Sequence, residues 1–104
     1  MYATHRRYDG IDQGRIEELT RKVNESLIPR LTKLPGFKGY FLMEAGDGVV
    51  RSTSLFDTSN QAEDSTRVVA EWTKEEKLEQ LIPNEPKVTV RKVIAHETKA
   101  PALV

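Results

Sequence analysis

Cysteine is absent from this chain of 104 residues, which excludes disulfide bridges and thiolate catalysis and suits a reducing compartment. Excess charge of one sign is absent too. Sixteen basic side chains balance sixteen acidic ones, so there is no electrostatic footprint for a polyanion, and nucleic-acid binding is not expected. The cluster Arg6-Arg7 reads either as a phosphate contact or as the solvated end of an edge strand, and zero net charge favours the second. No apolar run approaches the length of a membrane span, and the first residues lack the apolar core of a secretory signal. The expectation is a cytoplasmic protein with no membrane partner. The two histidines, His5 and His96, are not at metal-ligand spacing and have no carboxylate cluster beside them, so no metal is expected.

What the sequence does contain is periodicity. Residues 34–57 read as a β-hairpin entered through Pro35-Gly36 and turned at Gly46-Asp47-Gly48. No helix pattern follows that turn, so it is not a phosphate cradle. Along the first run Phe37, Phe41 and Met43 share one alternation class and Tyr40 and Leu42 the other, and neither class is cleanly polar. Residues 1–8 form a short strand with Met1, Ala3, His5 and Arg7 on one side and Tyr2, Thr4, Arg6 and Tyr8 on the other.

Ile16, Leu19, Val23, Leu27, Leu31 and Leu34 recur every three or four residues behind the N-cap candidate Asp12. This predicts one amphipathic helix, kinked at Pro29, which lacks an amide donor. Thr58 and Gln61 have capping-box spacing ahead of a second helix whose buried face is Ala62, Ser65, Val69 and Trp72. Leu78, Leu81 and Ile82 suggest a last helical segment before Pro83 and Pro86. A final strand is expected over Lys87–Glu97.

The order β-α-β-β-α-β is the split βαβ pattern of an α+β, ferredoxin-like domain over residues 1–98, followed by a short tail at 99–104. Both helices should cover one face of a four-stranded antiparallel sheet. The other face then exposes apolar side chains, and packing it against a second copy stabilises at about 25 cal/mol per Å² buried. A two-fold homodimer is expected, with Tyr2, Tyr40 and Leu42 at its interface.

At Leu34-Pro35-Gly36-Phe37-Lys38-Gly39-Tyr40, and again at Ser54-Leu55-Phe56-Asp57 before a helix carrying Ala62 and Trp72, the chain resembles the antibiotic-biosynthesis monooxygenase (ABM) domain family. That family belongs to the dimeric α/β-barrel superfamily. The resemblance implies a homodimer whose sheets form a barrel, with a ligand pocket between helices and sheet in each subunit. It also implies cofactor-independent oxidation of a small aromatic or quinol-type molecule by molecular oxygen, or, alternatively, a non-catalytic small-molecule-binding or stress-related dimer. Haem-cleaving relatives rely on a strand Asn with a helix Trp and His. Here Trp72 has a counterpart place, but the first strand has no Asn and the second helix no His, which points away from haem cleavage.

The residues themselves leave two readings for each candidate. Trp72 either lines a pocket or fills the helix–sheet interior with its indole hydrogen bonded locally. His5 is a general base beside it or a hydrogen-bonded core residue. Arg51 and Thr53 hold an oxygenated ligand or make cross-strand bonds, and Phe41 packs toward the helices at the same pocket.

Overall fold

A computed structural model describes residues 1–97. The expected tail at 99–104, and any contact it makes with a partner subunit, lies outside the described residues. The chain forms β1 (Tyr2–Tyr8), a 3-10 turn (Gln13–Arg15), α1 (Ile16–Lys22), a π-helical turn (Val23–Leu27) and α2 (Ile28–Thr32). Next come β2 (Phe37–Gly46), β3 (Val49–Phe56), α3 (Ser59–Glu75) and β4 (Lys87–Lys92). The strands pair antiparallel in the order β2-β3-β1-β4, the ferredoxin-like arrangement that the pattern implied.

The first helical arm starts where Asp12 accepts a bond from the Gly14 amide at 2.9 Å. Leu19, Val23, Leu27 and Leu31 are all buried. They step by four residues each time, a longer period than the 3.6 of an ideal helix. The wide π turn absorbs that drift. Its Ile28 amide reaches back five residues to the Val23 carbonyl, immediately ahead of Pro29, which has no amide to donate. The kink expected at Pro29 is therefore a widened turn on its N-terminal side.

α3 begins with the predicted capping box: the Gln61 amide donates to Thr58 Oγ1 at 3.2 Å, and the Thr58 amide to Gln61 Oε1 at 3.1 Å. Ala62, Ser65, Val69 and Trp72 are its buried residues. Two expected boundaries change. Residues 78–82 are an irregular turn rather than helix, because Lys77 adopts a left-handed conformation (φ 54°) that ends the helical path. Leu78 and Leu81 are nonetheless buried. The last strand stops at Lys92 instead of Glu97; β4 pairs with β1, and just beyond it the Val93 amide donates to the Met1 carbonyl at 2.9 Å.

The larger correction concerns which face is which. The buried side of β3 is Val50, Ser52, Ser54 and Phe56, and in register with it lie Tyr8, Arg6, Thr4 and Tyr2 of β1. Thr4 Oγ1 donates to the Ala62 carbonyl at 2.7 Å, so this is the side under α3. On β2 the alternation changes phase at a bulge between Phe37 and Gly39. Phe37 therefore packs edge-on against Phe56 on the helix side, and Tyr40 and Leu42 follow it there. Phe41 and Met43, expected to meet the helices, lie on the open face, 56% and 47% exposed. Tyr2, Tyr40 and Leu42, expected at the open face, belong to the covered one.

Candidate functional site

The same reversal divides the predicted site residues. Phe41, Thr53 and His5 sit directly opposite one another on β2, β3 and β1, with Thr89 of β4 completing the row. His5 Nδ1 lies 3.4 Å from Thr53 Oγ1. Arg51 belongs to the next row, between Met43 and Arg7. All four of these candidates occupy the open face of the sheet. They are brought together with each other, but on the opposite side of the sheet from Trp72.

Trp72 is 1% exposed. Its indole nitrogen donates to Ser26 Oγ at 2.6 Å, and Ser26 in turn donates to the Lys22 carbonyl at 3.0 Å, tying α3 to the π turn. Beside the ring is a void of only about 10 Å³. Of the two readings of Trp72, this is the geometry of the space-filling one with local hydrogen bonding.

The helix side also holds a cluster that the sequence reading passed over. Arg6 is 1% exposed, because β1 is a central strand with neighbours on both sides and α3 above it. It is not the solvated end of an edge strand. One terminal nitrogen donates to Ser54 Oγ at 3.1 Å and the other to Ser65 Oγ at 3.0 Å, while Nε is buried without a partner. Among the described residues no carboxylate pairs with it. Burial lowers the Arg6 pKa from its ordinary value, an effect opposed by charge interactions with Tyr8 and Tyr40. Burial also raises the Tyr8 phenol, against the pull of Arg6. It pushes Tyr40 up to about 12, helped by Tyr8 and opposed by Arg6 and by the nearby Ser52 hydroxyl. Both phenols are neutral donors at physiological pH, and the guanidinium charge stays unbalanced. Part of the signal was present in the expected topology: a ferredoxin-like order makes β1 central, so one of its two alternation classes is covered by the helices.

Among the described residues, cavities open between helices and sheet at both edges of the sheet. One, of about 500 Å³, lies along the β2 edge between Ile16, Asn24, Tyr40 and Met43. The other, about 420 Å³, lies under α3 at the β4 edge, bordered by Arg6, Tyr8, Val69, Ile82, Pro83 and Val88. The second combines apolar walls with a buried charge and a phenol, the mixture that orients a small ligand. Among the described residues no group of side chains is arranged to hold a metal, and no helix is long and apolar enough to cross a membrane.

No family model and no curated protein sequence matches the chain. Solved structures do. A monooxygenase of Streptomyces coelicolor, ActVA-Orf6, solved with nanaomycin D, superposes with a TM-score of 0.70 at 12% identity, over 95% of this chain and 92% of that one. A Nitrosomonas europaea protein provisionally assigned as an antibiotic biosynthesis monooxygenase gives 0.70 at 10% identity, over 91% of this chain and 100% of its own. A dimeric ferredoxin-like protein from an uncultured marine organism gives 0.71 at 11% identity, over 94% and 98%. Likeness at such identities is likeness of fold. In fold, this chain is a ferredoxin-like α+β domain similar to those of these structures, two of which are described as monooxygenases.

Proposed function

We propose that this protein is a cytoplasmic homodimer that oxidises a small aromatic, quinol-type molecule with molecular oxygen and without a cofactor, and that the cavity under α3 is its site. The observation that carries this reading is that cavity: about 420 Å³ in an ABM-like fold, walled by Val69, Ile82 and Val88, with Tyr8 and Arg6 among its lining residues. The chemistry balances with oxygen alone. An anthrone-type CH₂ group and one O₂ give a quinone carbonyl and one water, with no external reductant. Removing a proton from such a substrate creates an oxyanion, and a desolvated guanidinium with a neutral phenol beside it stabilises that charge.

The second subunit belongs on the other face. Phe41 and Met43 stand exposed there beside His5 and Thr53, and covering them against a second copy would remove apolar area from water. In this arrangement His5, Arg51, Thr53 and Phe41 serve the subunit interface, while Tyr40 and Leu42 serve the interior.

The test is oxygen uptake by the purified protein with anthrone, followed alongside quinone absorbance. The expected result is uptake matched to quinone formation, retained in His5→Ala. Ligand-dependent thermal stabilisation without uptake across a panel of anthrones and quinols would refute the enzymatic part. It would leave a binding protein of the same fold.

A further inference from the structure

Arg6 is an anomaly in stability terms. A guanidinium carries five N–H donors and a full charge, and enclosing it without a countercharge is unfavourable. Here its hydrogen-bond partners are two serine hydroxyls, its Nε has none, and its neighbours Tyr8 and Tyr40 keep their protons. A methionine would fill the same space without that penalty. Among the described residues, Arg6 is one of those that line the cavity under α3. Its lining is mostly apolar, with Thr66, Thr73 and Asn84 beside Val69, Ile82 and Val88, and the other charged side chains that line it, Lys74, Glu79 and Glu85, are all solvent-exposed. Water screens those three, whereas nothing screens Arg6.

We infer that the cavity takes a ligand with an apolar, ring-sized body and one anionic oxygen head, a carboxylate or a phenolate, and that Arg6 selects for that charge. The inference rests on the cavity being the ligand site and adds the chemical class of what enters it. Ser54 and Ser65 hold the two terminal nitrogens and so orient the guanidinium plane, and the ligand head supplies the missing negative charge. A neutral isostere of the same shape gains the apolar contacts but leaves the charge uncompensated.

Calorimetric titration of the whole protein with 2-naphthoate and with the neutral 2-naphthamide tests this. The expected result is at least about tenfold tighter binding of the carboxylate, the scale of one hydrogen bond to a charged group. Arg6→Gln is expected to erase the difference and Arg6→Lys to keep part of it. For the phenolate arm, 4-nitrophenol is expected to bind as its yellow anion, with its ionisation shifted to lower pH. Ala70→Phe, on the exposed rim of the cavity, is expected to block all three probes and so locate them without disturbing Arg6. Equal affinity for the two naphthalenes overturns the inference but leaves the cavity as a ligand site. No binding of either overturns both. A preference that survives Arg6→Gln, or binding unaffected by Ala70→Phe, also overturns it, and the wild-type comparison decides by itself if Arg6→Gln does not fold.

Discussion

Replacing Trp72 with phenylalanine separates a ring that holds the fold from a ring that holds a ligand. Trp72 is fully enclosed, and its indole nitrogen donates to Ser26 Oγ at 2.6 Å. Losing that bond costs about 1 kcal/mol. The smaller ring also leaves a void in a packed interior, which adds about 1 kcal/mol. The sum, about 2 kcal/mol, corresponds to a fall in melting temperature of about 8–16 °C for a domain of this size. Urea unfolding followed by far-ultraviolet circular dichroism is the suitable assay, since Trp72 is the chain's sole tryptophan and the variant has no indole fluorescence. Protein concentration must be held constant if the chain is dimeric. Ser26→Ala provides the control. Alone it leaves the indole hydrogen buried without a partner; combined with Trp72→Phe it should cost about 1 kcal/mol less than in the wild type. Binding of 2-naphthoate should survive in the phenylalanine variant. An unchanged urea midpoint together with lost binding would refute the argument and move Trp72 into the ligand site.

Two further outcomes are expected. Phe41→Glu places a charge in the middle of the open face, where Phe41 is 56% exposed, and should convert a dimer to a folded monomer in light scattering with its circular dichroism intact; an unchanged mass would remove the open face as the interface. Raising the pH should destabilise the protein between about 10 and 12. Below that window Tyr40 is protonated in both states. Within it the unfolded chain releases the proton while the folded chain, with Tyr40 pushed up to about 12 mainly by burial, keeps it, so stability falls as pH rises. Tyr40→Phe should flatten that decline in urea midpoints, and an equal slope in both proteins would contradict the burial argument.

The elements and their order were legible because their causes are local. Thr58 and Gln61 cap α3 from within four residues, and the four-residue steps from Leu19 to Leu31 mark one helical face whatever it packs on. The βαββαβ order then leaves few arrangements, and the ferredoxin-like sheet is the one observed. The site was less legible. Trp72 was singled out as a large aromatic on a helix stripe, and its partner Ser26 became visible only once the π turn and α3 were packed together. Arg6 reads as solvated from sequence because a charged residue in a short strand looks exposed until the strand is known to be central and its helix-facing side is known.

What the sequence by itself determined is therefore the set of elements, their caps and the two alternation classes on each strand. It could not say which class is covered. Strand alternation separates two faces without assigning either to the core, and β1 carries polar and apolar groups on both sides. One extra residue at the β2 bulge then exchanges the faces of everything beyond it, sending Tyr40 and Leu42 inward and Phe41 and Met43 outward. Only the packing of α3 over Thr4 and Arg6 decided the assignment, and with it the location of the cavity, because a helix-facing side is defined by contacts between residues some sixty positions apart.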